Sequence, residues 1–215
     1  LTYSFPGLGA AHDADYGFAG GDGEWAGFSP LTAEEQTAVR GVLDAWSAVA
    51  NVTFTEVTDT ASTVGELRFG KSTTLTSSEA AHAYYPGDYT AAGDVWFNTA
   101  FWNVTPGSLT AGSYDTMTIL HEVGHALGLK HTFEGPDAIP TNFDSLFYSV
   151  MSYSARVSGD GGWSSFQPTT PMYYDLLGIQ AMYGRNMSHN AGNNTYTFVE
   201  GQTYFQTIDD AGGID

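Results

Sequence analysis

Residues 121–131 read His121-Glu122-Val123-Gly124-His125-Ala126-Leu127-Gly128-Leu129-Lys130-His131. In an α-helix, residues four apart lie about 40° apart around the axis and one turn apart along it. His121 and His125 therefore aim two imidazoles at one point. Glu122 sits about 100° round from His121, close enough to reach a water on a metal held there without being a ligand. If the helix continued, His131 would lie about 240° from His125 and roughly 9 Å further along, too far to share the ion. Gly128 resolves the conflict, because glycine takes the left-handed conformation that ends helices and turns the chain. His131 then swings back as a third ligand. Three neutral imidazoles with an open fourth position describe a catalytic Zn2+ site rather than a closed structural one.

The bulk composition sets bounds around this site. The chain has 215 residues with 42% hydrophobic and 14% aromatic residues, enough for one large domain with a substantial core. Net charge is −18 with no cysteine. Such acidity argues against nucleic acid and anionic membranes as partners. The absence of cysteine excludes disulfides and thiolate zinc sites. No apolar run approaches the 18 or more residues of a membrane span. Leu1 in place of Met, with no leader-like run, points to a processed chain, and a cysteine-free acidic chain fits secretion from bacteria.

Along the chain, Leu1 to Phe5 alternates like a strand, and residues 7–30 read as a long loop. Thr32-Ala33-Glu34-Glu35 fits a capping box opening a helix with Val39, Val42, Leu43, Trp46 and Val49 on one face, ended by Asn51. Residues 52–57 and 66–69 are strand-like, the second closed by Gly70. Residues 71–93 are small and polar and read as loop, so His82 is expected to be a loop histidine and not a ligand. Asp94-Val95-Trp96-Phe97-Asn98 reads as an edge strand lining a cleft, where a peptide could add by β-augmentation. Ser113 caps the helix of the histidines, with Asp115 in its first turn. Thr170-Pro171 opens a last helix that Gly184 ends. Residues 196–198 and 204–208 read as short strands before Asp209-Asp210-Ala211-Gly212-Gly213-Ile214-Asp215.

The spacing H-E-x-x-H-x-x-G-x-x-H, followed by Ser149-Val150-Met151-Ser152-Tyr153, resembles a metzincin and within that clan the serralysins, secreted bacterial metalloproteases. Residues 170–184 are similar to the helix that closes their protease domain, and 209–215 to the point where they enter a calcium-binding β-roll. The resemblance implies an α/β fold with a twisted, mostly parallel sheet, one antiparallel edge strand, and an active-site helix under the cleft. It implies a protease domain over 1–195 and the beginning of the β-roll over 196–215. Met151 would form an apolar floor beneath the zinc, and Tyr153 would bind the zinc or its water and then stabilise the oxyanion. Glu122 would be the general base of a monomeric zinc endopeptidase acting on polypeptides. Asp209, Asp210, Gly212, Gly213 and Asp215 become a candidate Ca2+ site. Thr132 departs from the proline that many serralysins carry after the third histidine. The alternative is a non-catalytic zinc-bearing module of a larger secreted protein.

Overall fold

The computed structural model describes residues 1–16, 21–102, 104–155 and 164–215. Its strands are β1 (Thr2–Ser4), β2 (Phe28–Ser29), β3 (Thr55–Glu56), β4 (Leu67–Ser72), β5 (Ala81–Ala83) and β6 (Val95–Asn98). Its α-helices are α1 (Ala33–Val49), α2 (Tyr114–Ala126) and α3 (Tyr173–Tyr183), with short 3-10 turns at Gly23–Gly27 and Thr141–Phe143. The sheet order is β3-β1-β4-β6-β5, and β2 pairs with β4 off this path. The β1–β3, β1–β4 and β4–β6 pairings are parallel, whereas β5–β6 and β2–β4 are antiparallel. The expected mostly parallel sheet with an antiparallel edge is therefore present.

The identity of the edge needs correcting. Asp94 to Asn98 is not the edge strand, because β6 is flanked by β4 on one side and β5 on the other. The physical reason is in its side chains. Val95 and Phe97 face the main core while Trp96 faces a second aromatic cluster with Tyr16, Trp25 and Tyr84. A strand buried on both faces reads as a continuous apolar run, and that run belongs to the sheet interior. The edge is β5, within the stretch that reads as loop.

Helix α1 begins as the sequence predicts. Thr32 Oγ1 accepts from the Glu35 backbone N–H at 3.3 Å while the Glu35 carboxylate accepts from the Thr32 N–H at 2.6 Å. The helix ends one residue before its cap at Ala50, not at Asn51. Its face of Val39, Leu43 and Trp46 packs with Leu67, Phe69, Val95 and Phe97 of the sheet and with Ile119, Leu120 and Val123 of α2. The Trp46 indole N–H donates to the Leu120 carbonyl at 3.2 Å, fixing α2 across α1. Each fully buried large side chain contributes roughly 1.5–3 kcal/mol, so this core holds α2 rigidly under the cleft.

Other expectations need smaller corrections. Strand β4 runs through Gly70 to Ser72, and residues 52–57 form a strand only at Thr55–Glu56. Helix α3 starts at Tyr173 with Met172 as its cap, two residues beyond the predicted position. Residues 196–198 and 204–208 form no strand. The second of these segments is tied to the stretch before α3, with Thr169 N–H donating to the Phe205 carbonyl at 2.9 Å and Thr207 N–H to Thr170 Oγ1 at 2.9 Å.

Candidate zinc centre

Helix α2 brings His121 and His125 one turn apart, and its end turns the chain as glycine spacing predicts. Gly128 has φ +107°. Its N–H donates to the His125 carbonyl at 2.8 Å, and the Leu129 N–H reaches back to the Gly124 carbonyl at 2.9 Å. This pair of bonds is a Schellman motif. It reverses the chain so that His131 faces the other two rings, and it turns the Leu129 carbonyl towards His125.

Every ring then has its Nδ1 engaged. His121 Nδ1 donates to the Val150 carbonyl at 2.7 Å, His125 Nδ1 to the Leu129 carbonyl at 2.6 Å, and His131 Nδ1 to Glu134 Oε1 at 2.6 Å. These acceptors assign the tautomer and leave three Nε2 lone pairs converging. His125 Nε2 and His131 Nε2 lie 3.1 Å apart, with no proton between them. Two lone pairs at that distance repel unless a cation lies between them, and two nitrogens tetrahedrally bound to zinc at 2.0–2.1 Å stand about 3.3 Å apart. The three histidines are the only such cluster among the described residues, their ligand atoms lying within 4.8 Å of one another. The donor set fits zinc.

Burial keeps two of the rings neutral. Desolvation, helped for His121 by the neighbouring imidazoles, lowers its pKa to about 3; desolvation lowers that of His125 to about 4. For a histidine depressed in the fold, the stabilising contribution is present above its ordinary pKa and is lost as pH falls through the folded value. In metal-free protein, neither ring should take up a proton between pH 7 and 5 while the unfolded chain does, so the fold should weaken as pH falls below about 6.5. NMR titration of the imidazole carbon-bound protons checks this.

Glu122 follows His121 on α2 and is 6% exposed. Its Oε2 has no hydrogen-bond partner, and burial pushes its pKa up to about 8 in the metal-free chain. Beneath the site Met151 is 1% exposed. A Cβ on Gly124 would stand 2.6 Å from Met151 Sδ, so the floor approaches the helix only because residue 124 has no side chain. Tyr153 lies across the rings, its hydroxyl donating to His131 Nε2 at 2.7 Å. Burial raises its pKa to about 12, which keeps the phenol protonated at neutral pH.

The supporting groups were not named by the sequence reading. Asp175 of α3 accepts from Ser149 Oγ–H at 2.5 Å, Val150 N–H at 2.8 Å and Met172 N–H at 2.7 Å. It thus ties the last helix to the turn bearing Met151. Asp144 Oδ1 accepts from Thr132 Oγ1–H at 2.5 Å and Ser152 Oγ–H at 2.6 Å, so the unexpected Thr132 joins the segment after the third histidine to that same turn. An acid three residues past a histidine, Glu134, was the available signal for the partner of His131. A Glu134→Gln protein should bind zinc about 10–100-fold more weakly, as read by competition with a chromogenic chelator.

The remaining predicted residues lie outside the cluster of three histidines. Asp94 is buried and accepts from the Tyr16 hydroxyl at 2.5 Å. Asn98 Nδ2 donates to the Thr76 and Glu79 carbonyls at 2.9 and 2.7 Å. At the C-terminus, Asp209 pairs with Arg185 at 2.9 Å, Asp210 accepts from the Gly212 N–H at 2.9 Å, and Asp215 accepts from the Asn194 N–H. Among the described residues, these three carboxylates are not part of a group of three or more side-chain ligands that could hold a metal ion.

Above the helix, a cleft of about 830 Å³ runs from Thr76, Glu79 and the strand β5 past Glu122 and the three rings to Tyr153 and Gln167. A mostly parallel sheet with an antiparallel edge, a helix carrying two ligands, a glycine turn to the third and a methionine floor define a metzincin zinc centre. The chain belongs to the matrixin peptidase family, whose sequence pattern matches residues 29–145, and within the clan it is serralysin-like. It is 35% identical over 184 residues to serralysin C of Dickeya chrysanthemi, covering 80% of this chain and 38% of that protein. It is 34% identical over 192 residues to serralysin A of the same organism, covering 82% and 38%. Metallopeptidase AprA of Pseudomonas marginalis is 32% identical over 192 residues, covering 80% and 39%. The chain spans about two-fifths of the length of these relatives.

Proposed function

We propose that the chain is the catalytic module of a zinc endopeptidase that cuts peptide bonds within proteins, secreted by a bacterium. Residues 1–195 would form that module and 196–215 would lead into a C-terminal region. The observation that carries this reading is Glu122: a buried carboxylate with an unpartnered oxygen, beside three converging imidazoles, on the wall of an open cleft. A zinc-bearing module without catalysis has no use for so costly a group.

Zinc on His121, His125 and His131 would lower the pKa of a bound water to about 7 and polarise a carbonyl. Glu122 takes a proton from the attacking water at Oε2 and delivers it to the departing amine nitrogen. The Tyr153 hydroxyl donates to the oxyanion as it forms. Substrate lies along β5. Tyr84 N–H donates to the Asp94 carbonyl and Asn98 N–H to the Ala80 carbonyl, and the register pairs His82 with Trp96. In an antiparallel ladder alternate residues bond the neighbour, so Ala81 and Ala83 direct their N–H and C=O away from β6. Both line the cleft, where an extended peptide would add as a further strand. No helix among the described residues is long and apolar enough to cross a membrane.

Digestion of a peptide library with product mapping, with and without chelator, tests the reading. Internal cleavage that stops with chelator and returns with zinc is expected. A zinc-loaded chain that cuts nothing overturns it.

A further inference from the structure

His82 sits at the centre of β5, the strand proposed to receive substrate, and each of its ring nitrogens faces a carboxylate. Nδ1 hydrogen-bonds Glu79 Oε1 at 3.1 Å, and Nε2 lies 3.1 Å from Glu24 Oε1, at ion-pair distance but without the alignment of a hydrogen bond. Glu79 belongs to the segment just before β5, whereas Glu24 belongs to the Gly23–Gly27 turn, more than fifty residues earlier. That turn is anchored by Ser72 Oγ–H donating to the Glu24 carbonyl at 2.6 Å. The Tyr84 hydroxyl donates to Glu24 Oε1 at 2.8 Å, while Glu24 Oε2 is buried without a partner. From α2, Glu122 adds a third carboxylate whose charge acts on His82. Neither Lys nor Arg lines the cleft among the described residues.

An imidazole at ion-pair distance from two carboxylates balances both charges only as the imidazolium, with a proton on each nitrogen. A neutral ring must turn a lone pair towards one of them. Glu79 is a third exposed and can turn to water, whereas the Glu24 side chain is 13% exposed and would be left as a buried, poorly partnered charge.

We propose that His82 is a positioning residue for substrate: as the imidazolium it clamps the Gly23–Gly27 turn and the 76–79 segment onto β5, holding the Ala81 and Ala83 backbone groups in register for an incoming peptide. Loss of its proton releases Glu24 and loosens that edge. The inference rests on the reading of β5 as the substrate strand. The electrostatics agree in direction. Burial pulls the His82 pKa down, but Glu24, Glu79 and Glu122 more than offset this, and the net shift is upward. A histidine raised in the fold contributes fully below its ordinary pKa, and the contribution is lost as pH rises through the raised value. The edge is therefore ordered at acid and neutral pH and loosens on the alkaline side.

Two measurements test this on the zinc-loaded chain. First, NMR follows the His82 ring and the β5 amides against pH. The ring should titrate above 6.5, the Glu24→Gln change should lower that value, and exchange protection across Ala81–Ala83 should fall in step with it. Second, KM and kcat are followed for a peptide taken from the library digestion. In the unmodified chain KM should rise about tenfold between pH 6 and pH 9 beyond any change in kcat. His82→Gln should show the high KM at both pH values, and His82→Lys, which keeps its charge, the low one. A ring that titrates at or below 6.5, or an equal KM rise in His82→Gln, overturns the proposal. If the NMR coupling holds while no peptide is cut, the clamp stands and the endopeptidase reading fails.

Discussion

Replacing Glu122 with Gln is expected to lower kcat by about 10²–10⁴-fold while leaving zinc content unchanged. The two halves of that expectation have separate causes. Glu122 is not among the three converging ligands, so its removal costs the metal no bond. The amide cannot take the proton that the carboxylate accepts, so the base is lost outright. A third consequence follows from burial. The carboxylate is pushed up to about pH 8 by desolvation in the metal-free chain. For a group raised in the fold, the contribution to stability is present below its ordinary pKa and is lost as pH rises through the folded value. Metal-free Glu122→Gln protein should therefore melt at a higher temperature than the unmodified chain at pH 8, and the gap should close towards pH 4.5. A site residue whose removal stabilises the fold and cuts turnover by orders of magnitude is the signature of a group kept for chemistry. Steady-state kinetics, metal analysis and melting curves read all three. Full proteolysis by the variant would refute the assignment.

How much of this was legible in the sequence depended on whether the signal was local. The histidines and Gly128 were, because helical period and one glycine settle which rings can meet. The capping box at Thr32 and Glu35 was local too. Strand β5 was not. Ala81-His82-Ala83 is only three residues with no β-branched side chain, and it is a strand only because β6 offers it a partner. β6 itself carried a usable signal: Val95-Trp96-Phe97 is apolar on both faces, which marks a strand inside the sheet. Placing it at the edge weighed its nearness to the histidine helix above that pattern. The hydrogen bonds from Asp175 and Asp144 to the 149–152 turn were invisible for a different reason. A carboxylate at the third position of a helix reads as a cap, and nothing local says that the same oxygen also holds a turn twenty-five residues earlier.

Asp175 makes the second large prediction for that reason. It is 1% exposed, and although burial pushes its pKa up to about 6, it remains ionised at neutral pH. Changing it to Ala leaves the Val150 and Met172 N–H groups buried without an acceptor. At about 1–3 kcal/mol for each unsatisfied group, the expected loss is about 2–6 kcal/mol, against a total of roughly 5–15 for a folded domain. The damage should also reach the metal, because the Val150 carbonyl is the acceptor that orients His121. If the turn shifts, that ring loses its aim, and zinc affinity should fall by about 10–100-fold although no ligand has been touched. Asp175→Asn separates the two effects. Its carbonyl oxygen still accepts from one donor while its amide faces the other, so it should lose less stability than Ala but still weaken zinc. Denaturant unfolding and zinc competition on both variants supply the numbers. An Asp175→Ala protein that unfolds at the unmodified denaturant midpoint and binds zinc unchanged would show that the turn is held by its packing against Gly124 and Trp46, and that the three hydrogen bonds to Asp175 are incidental.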